Sequence, residues 1–235
     1  MSQFSRRIVL SVVLISSTLL TSCATKFSAA QRAELTTVAI AKTEMEGDAY
    51  SDPSGADIQL RQSFSQSGVN AQAGAAGGLV GALIGESVAA TQNAIFKSKN
   101  KSYFPAIARN APKNISDLMT KNLQNAMKED AFFGPRLKAS SSSVVTSKVN
   151  SYQLVRTGKD KNGDLLLTAQ VISEIRLLDT NGKKMFGGTY PGVGRDSYTA
   201  SQYASDPIKS KQVYDSATGN AVNTFMTVLA TKTAN

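Results

Sequence analysis

The tightest constraint on how this chain can fold is a pair of Asn-Gly dipeptides, Asn162-Gly163 and Asn181-Gly182, on either side of one long alternating run. Asn-Gly is a hairpin signal, because both residues tolerate the positive φ that a type I′ turn requires. Between them, from Asp164 to Leu178, Leu165, Leu167, Ala169, Val171, Ile175 and Leu177 fall on one side, and Thr168, Gln170, Glu174 and Arg176 on the other. A period of two sends these sets to opposite faces, which predicts a half-buried antiparallel strand with one wet face. A strand around Val144 to Arg156 precedes it. A third runs from Lys184 to Tyr190 and ends at Gly192-Val193-Gly194.

Helical spacing appears on both sides of these strands. Ile115, Leu118, Met119, Leu123, Ala126 and Met127 recur along one face of Asn114 to Asp130, where Asn114 or Ser116 can cap the start and Gly134-Pro135 closes the following bend. Near the end of the chain Asp206 is placed to cap a helix with Pro207 in its first turn. Tyr214, Ala217, Ala221, Val222, Phe225, Val228 and Leu229 form its apolar stripe, and Gly219 interrupts it where a close crossing of the sheet is expected. Leu35 to Thr43, alternating at Leu35, Thr37, Ala39 and Ala41, reads as a further strand. These elements predict an α+β fold: an antiparallel sheet with a three-stranded meander, covered by two amphipathic helices, plus a Gly/Ala-rich helix.

That last helix falls in an insertion at about residues 69–97. No charge occurs from Gln62 to Gly85, and Ala73, Gly77, Gly81, Gly85 and Ala89 repeat every four residues. Residues four apart share a helix face, and a smooth face of this kind lets a second helix approach closely. Each glycine costs up to about 1 kcal/mol in a helix, so the repetition implies a packing reason. Two readings stand: a surface for self-association or membrane contact, or a helix lying against its own domain. Glu86, Gln72, Gln92 and Asn93 argue against simple lipid exposure. Lys97, Lys99 and Lys101 follow as a basic cluster that can meet an anionic surface, or simply mark an exposed helix end.

Composition removes whole classes of chemistry. The 235 residues include no His, no Trp and a single Cys. Zinc sites, Ser-His-Asp triads and Cys-His pairs are thereby excluded; a Ser-Lys or two-carboxylate mechanism survives in principle, but no spacing points to either, and neither a metal, a cofactor nor a catalytic residue is expected. Asp160, Asn162 and Asp164 do not form a calcium loop, since glycine stands at the fourth position and no bidentate Glu follows at the right distance. The formal charge of +9 reads first as a solvated basic surface; if it meets a partner, acidic lipopolysaccharide, anionic phospholipid or peptidoglycan suits it, with no nucleic-acid partner expected.

The first residues supply the compartment. Arg6 and Arg7 precede an uncharged run, Ile8 to Leu20, of signal-peptide length and short for a span. Leu20-Thr21-Ser22-Cys23 closes it and resembles the lipobox of bacterial lipoproteins. The resemblance implies an S-diacylglycerol and an N-acyl group on Cys23, cleavage just before it, and an explanation for the lone cysteine of a secreted chain. Residues 1–22 would be the signal peptide, 23–34 a lipidated polar tether, and 35–235 a periplasmic α+β domain. Cleavage leaves 235 − 22 = 213 residues with a charge of 9 − 2 = +7. Ala24 resembles the residue of lipoproteins sorted to the outer membrane. Each acyl methylene contributes about 0.8 kcal/mol to anchoring.

The order of elements over residues 35–43 and 114–230, with the phrase LLDTNGKKMFGGTY (Leu177 to Tyr190), resembles accessory outer-membrane lipoproteins of the curli-secretion-channel and TolB-N-like group. It implies a non-catalytic envelope assembly, scaffolding or transport-accessory factor, bound to membrane lipid and to an envelope protein or a second copy of itself. The glycine-rich segment is similar instead to surface-exclusion lipoproteins, which keeps open an oligomeric pore or surface-protection role. A lipid or glycan carrier using the apolar side of the sheet is a third reading.

Overall fold

The computed structural model describes residues 27–47, 49–52 and 94–231. In chain order these form α1 (Ala29–Glu34), three short strands β1 (Ala39–Ile40), β2 (Glu44–Met45) and β3 (Tyr50–Ser51), and helical residues 94–100, here α2. Helices α3 (Phe104–Asn110) and α4 (Ile115–Glu129) follow, then a 3₁₀ turn at Gly134–Arg136. Strands β4 (Val144–Lys159), β5 (Leu165–Leu178) and β6 (Lys184–Val193) come next, and α5 (Ala200–Ser205) and α6 (Pro207–Thr231) end the described chain.

The α+β class stands, but the sheet is mixed and not purely antiparallel. Its order is β1-β4-β5-β6, with β2 and β3 on the same edge of β4 as β1. β4 and β5 pair antiparallel, as do β5 and β6, whereas β1, β2 and β3 all run parallel to β4. A helical crossover explains the direction. The chain passes through α2, α3 and α4 between β3 and β4, and a connection of that kind returns it to the end from which it started. The parallel edge is also broken by surplus residues. From Ile40↔Val145 to Glu44↔Lys148 it advances 44 − 40 = 4 residues against 148 − 145 = 3 on β4, and the next step, Met45↔Val149 to Tyr50↔Tyr152, is 5 against 3. Such bulges interrupt pairing, which is why Leu35 to Thr43 yields only a two-residue strand.

The hairpin loops also differ from the type I′ expectation. Among the described residues no non-glycine residue has positive φ, while Gly163 and Gly182 sit at φ 80° and 75°. In each loop the glycine N–H donates to the carbonyl of an aspartate three residues earlier, Asp160 or Asp179, at 3.0 Å. The result is an ordinary turn followed by a left-handed glycine. Each aspartate stabilises its own loop: Asp160 Oδ1 accepts the N–H groups of Asn162 and Asp164, and Asp179 Oδ1 those of Asn181 and Lys183.

α6 lies across β5 and β6, and α4 packs beside it and against β4. Met119, Leu123 and Met127 of α4 are fully buried. The Phe225 ring of α6 lies 5.9 Å from Phe186 and 5.3 Å from Tyr190 on β6. The close approach between helix and sheet is made at Gly192 and not at Gly219. A Cβ on Gly192 would lie 2.0 Å from Ala217 O, whereas one on Gly219 would lie 3.9 Å from the Asn122 amide. Asn122 Nδ2 reaches Thr218 Oγ1 at 2.7 Å and so joins α4 to α6. At the start of α4, Asn114 occupies the cap position without a side-chain bond; Asp206 does cap α6, accepting from Ile208 N at 2.9 Å.

The polar side of β5 is wet only in part. Thr168 and Gln170 are 0% and 5% exposed. Their polar atoms are satisfied locally: Thr168 Oγ1 donates to Asp196 O at 2.7 Å, and Gln170 Oε1 accepts from Gln153 Nε2 at 3.2 Å. The chain after β6 turns back along β5, where Leu167 and Tyr198 exchange backbone bonds. That return covers residues the alternation assigns to solvent.

Three tyrosines cluster where β3, β4 and α6 meet, tilted for Tyr50 and Tyr152 at 5.1 Å between centroids and edge-on for Tyr152 and Tyr214 at 5.7 Å. The Tyr50 and Tyr214 hydroxyls are buried and make no hydrogen bond among the described residues. A buried unpaired hydroxyl costs about 1–3 kcal/mol. Tyr214→Phe is therefore expected to leave the urea midpoint unchanged or raise it. A clear fall in that midpoint would mean that the hydroxyl has a stabilising partner.

Candidate functional site

The features with possible functional bearing lie at the two ends of the sheet. β5 has 14 residues, so at about 3.3 Å per residue the ends are separated by about 43 Å.

One end is built around Phe27. This residue precedes α1, which Ser28 opens with a capping box to Gln31. Phe27 is 1% exposed and packs 6.3 Å from Phe132, 6.4 Å from Phe133 and 6.4 Å from Phe186, centroid to centroid. Phe27 and α1 thus pack within the segment, residues 23–34, expected to be a polar tether. Arg32 and Arg136 both lie over the Phe132 ring, at 4.2 and 4.1 Å from its centroid, in cation–π contact. Arg136 is fixed further by donating from Nε to Leu35 O at 3.1 Å and from Nη1 to Phe132 O at 2.8 Å. Asp130 Oδ1 accepts the N–H groups of Phe132 and Phe133, both at 2.9 Å, and holds the aromatic turn. A hollow of about 210 Å³ opens here, lined by Phe27, Arg32, Phe132, Met226 and Leu229 among others.

The opposite end carries a cleft of about 300 Å³ between α2, the Asp160–Asp164 loop and the start of α5. Ile95 and Tyr103, 62% and 38% exposed, supply apolar surface, with Lys99, Lys159 and Thr199 as polar lining. Lys99 Nζ is hydrogen-bonded and ion-paired to Asp164 Oδ1, and the bond to that carboxylate raises the lysine pKa. Asn110 Nδ2 donates to Tyr203 O and Ala204 O, tying α3 to α5 behind the cleft.

Of the residues singled out in the sequence, Lys97, Lys99 and Lys101 lie at this second end, in α2 and the turn after it. Lys99 meets Asp164, an internal partner that adds little stability at an exposed site. Cys23, Ala73, Gly77, Gly81, Gly85 and Ala89 lie outside the described residues. Among the described residues there is no cluster of three or more His, Cys, Asp or Glu suited to a metal, and no helix long and apolar enough to cross a membrane. The Arg32–Phe132–Arg136 arrangement escaped the sequence reading. Its parts are separated by 132 − 32 = 100 residues, and only the Phe132-Phe133 pair ahead of Gly134-Pro135 hinted at an aromatic turn.

No protein-family model and no curated protein matches the chain. Among solved structures, it matches the crystal structure of a "putative lipoprotein" from Caulobacter crescentus CB15 with a TM-score of 0.37 and 18% identity, over 52% of this chain and 84% of that one. A likeness at that TM-score carries no argument about fold or function.

Proposed function

We propose that the protein is a lipid-anchored lipoprotein of the outer membrane, facing the periplasm, that acts by binding as a non-catalytic assembly, scaffolding or transport-accessory factor. One observation carries the reading: the Leu20-Thr21-Ser22-Cys23 sequence that ends the apolar run Ile8 to Leu20. The cysteine is the only one in the chain, and a lipid on its thiol gives it a chemical purpose. A non-catalytic role is supported by the absence of His from the whole sequence. It is supported too by the buried polar side chains, several of which bond structurally. Thr43 Oγ1 and Ser147 Oγ, 2.6 Å apart, join the parallel edge to β4, and Thr120 Oγ1 of α4 lies 2.8 Å from Thr43 Oγ1.

Cys23→Ser removes the thiol on which lipidation depends. The variant is expected to lose the mass of the diacylglycerol and N-acyl groups and to remain as an uncleaved precursor or a soluble species. A wild-type protein whose intact mass carries no acyl groups, or a variant with the same processing and the same membrane retention as the wild type, would sink the lipoprotein reading.

A further inference from the structure

We infer that the Phe27 end of the domain is a bilayer-docking surface, on which the molecule stands with its long axis away from an anionic phospholipid surface. The inference rests on the lipid-anchor reading and deepens it. The decisive quantity is the length of chain between the anchor and the folded body. Only Ala24, Thr25 and Lys26 separate Cys23 from Phe27, a span of 27 − 23 = 4 residue steps that reaches at most about 14 Å when fully extended. Phe27 cannot yield more slack without leaving the rings of Phe132, Phe133 and Phe186 that enclose it. A lipid on Cys23 therefore holds this end against the headgroups, while the Asp164 end is about 43 Å away along β5.

The chemistry of this end suits such a surface. Arg32 and Arg136, half-buried on Phe132, present guanidinium groups beside the hollow at Phe27. Guanidinium matches phosphate geometry, and its stacking on an aromatic ring fixes it in place. Lys128, Lys138, Lys183 and Lys184 are exposed at the same end of the sheet. The acids here are Glu34, Glu129, Asp130 and Asp179, and the last two each use a carboxylate oxygen to accept backbone N–H groups. The same geometry carries Lys97, Lys99, Lys101 and the Ile95–Tyr103 cleft to the end facing away from the anchored bilayer, where a partner can reach them.

The test uses the full-length lipidated protein. Cys23 is consumed by lipid, so Ala30→Cys on exposed α1 and Lys161→Cys in the far hairpin loop each offer a single labelling thiol. Each is labelled with a fluorophore and placed in phosphatidylethanolamine–phosphatidylglycerol vesicles carrying a headgroup quencher. Most emission at position 30 should be lost and emission at position 161 kept. Ala33→Cys, also exposed on α1, should repeat the result at position 30. An acylated protein with unquenched position 30, or with both ends quenched alike, overturns the docking surface while leaving the anchor standing. An unacylated, soluble protein by intact mass overturns both.

Discussion

Gly192→Val is expected to be strongly destabilising, costing about 4 kcal/mol or more. A Cβ at this position would stand 2.0 Å from Ala217 O, 2.5 Å from Ala221 N and 2.9 Å from Ala221 Cβ. Two of the three neighbours are backbone atoms of α6, so no side-chain rotation relieves the clash. The helix must lift from the sheet, and Phe225 then loses its contacts with Phe186 and Tyr190. For a domain of this size that loss corresponds to a Tm lower by about 8–16 °C. Against a typical total stability of about 5–15 kcal/mol, that is from about a quarter to most of the whole. Gly219→Ala provides the contrast. Its Cβ would meet only the Asn122 amide at 3.9 Å, an ordinary contact, and helix propensity favours alanine by about 1 kcal/mol. Thermal melts of the two variants decide the matter: equal losses in both would mean that the helix–sheet approach at Gly192 is not as close as described.

A steep alkaline unfolding transition is the second large effect expected. Burial raises the pKa of Tyr50, Tyr152, Tyr190, Tyr203 and Tyr214 above the ordinary value, that of Tyr190 to about 12. For Tyr50 the charge of Asp52 adds to burial, and for Tyr203 the neighbouring Tyr198 and Asp196 do so. The unfolded chain releases these protons near pH 10 while the folded chain keeps them. Below that pH the five phenols are protonated in both states and add no pH dependence. Above it the unfolded state is favoured by up to about 1.4 kcal/mol per pH unit for each tyrosine that stays protonated in the folded protein. Stability should therefore vary little from about pH 6 to 9, where no histidine exists to titrate, and collapse within one to two units above pH 10. Circular dichroism and tyrosinate absorbance, followed together, should change in one cooperative step. Gradual tyrosinate formation with the circular dichroism unchanged would mean that these rings are accessible to solvent in the folded protein.

The strands and helices with the most regular patterns were legible because their signals are local. The alternation of Leu165, Leu167, Ala169 and Val171 lies within β5, and the spacing of Leu118, Met119, Leu123 and Met127 lies within α4. Turn chemistry was read less well. Asn-Gly was noticed, but Asp160 and Asp179, two residues before each pair, bind the loop N–H groups and set the turn type. The candidate sites were the least legible. Lys99 reads as a free cation until the chain brings Asp164 to it from 65 residues away. Arg32 and Arg136 reveal no common purpose until the fold places both over Phe132.

The α+β class, the long alternating strand and the two loop positions are each encoded in residues close together in the chain. The parallel edge on β4, the contact of Gly192 with α6, the partial drying of Thr168 and Gln170, and the distance between the Phe27 end and the lysines are set by long-range packing. All of these depend on which distant segments meet. A hydrophobic pattern specifies that a face must be buried, but not which element covers it or from which direction the chain returns.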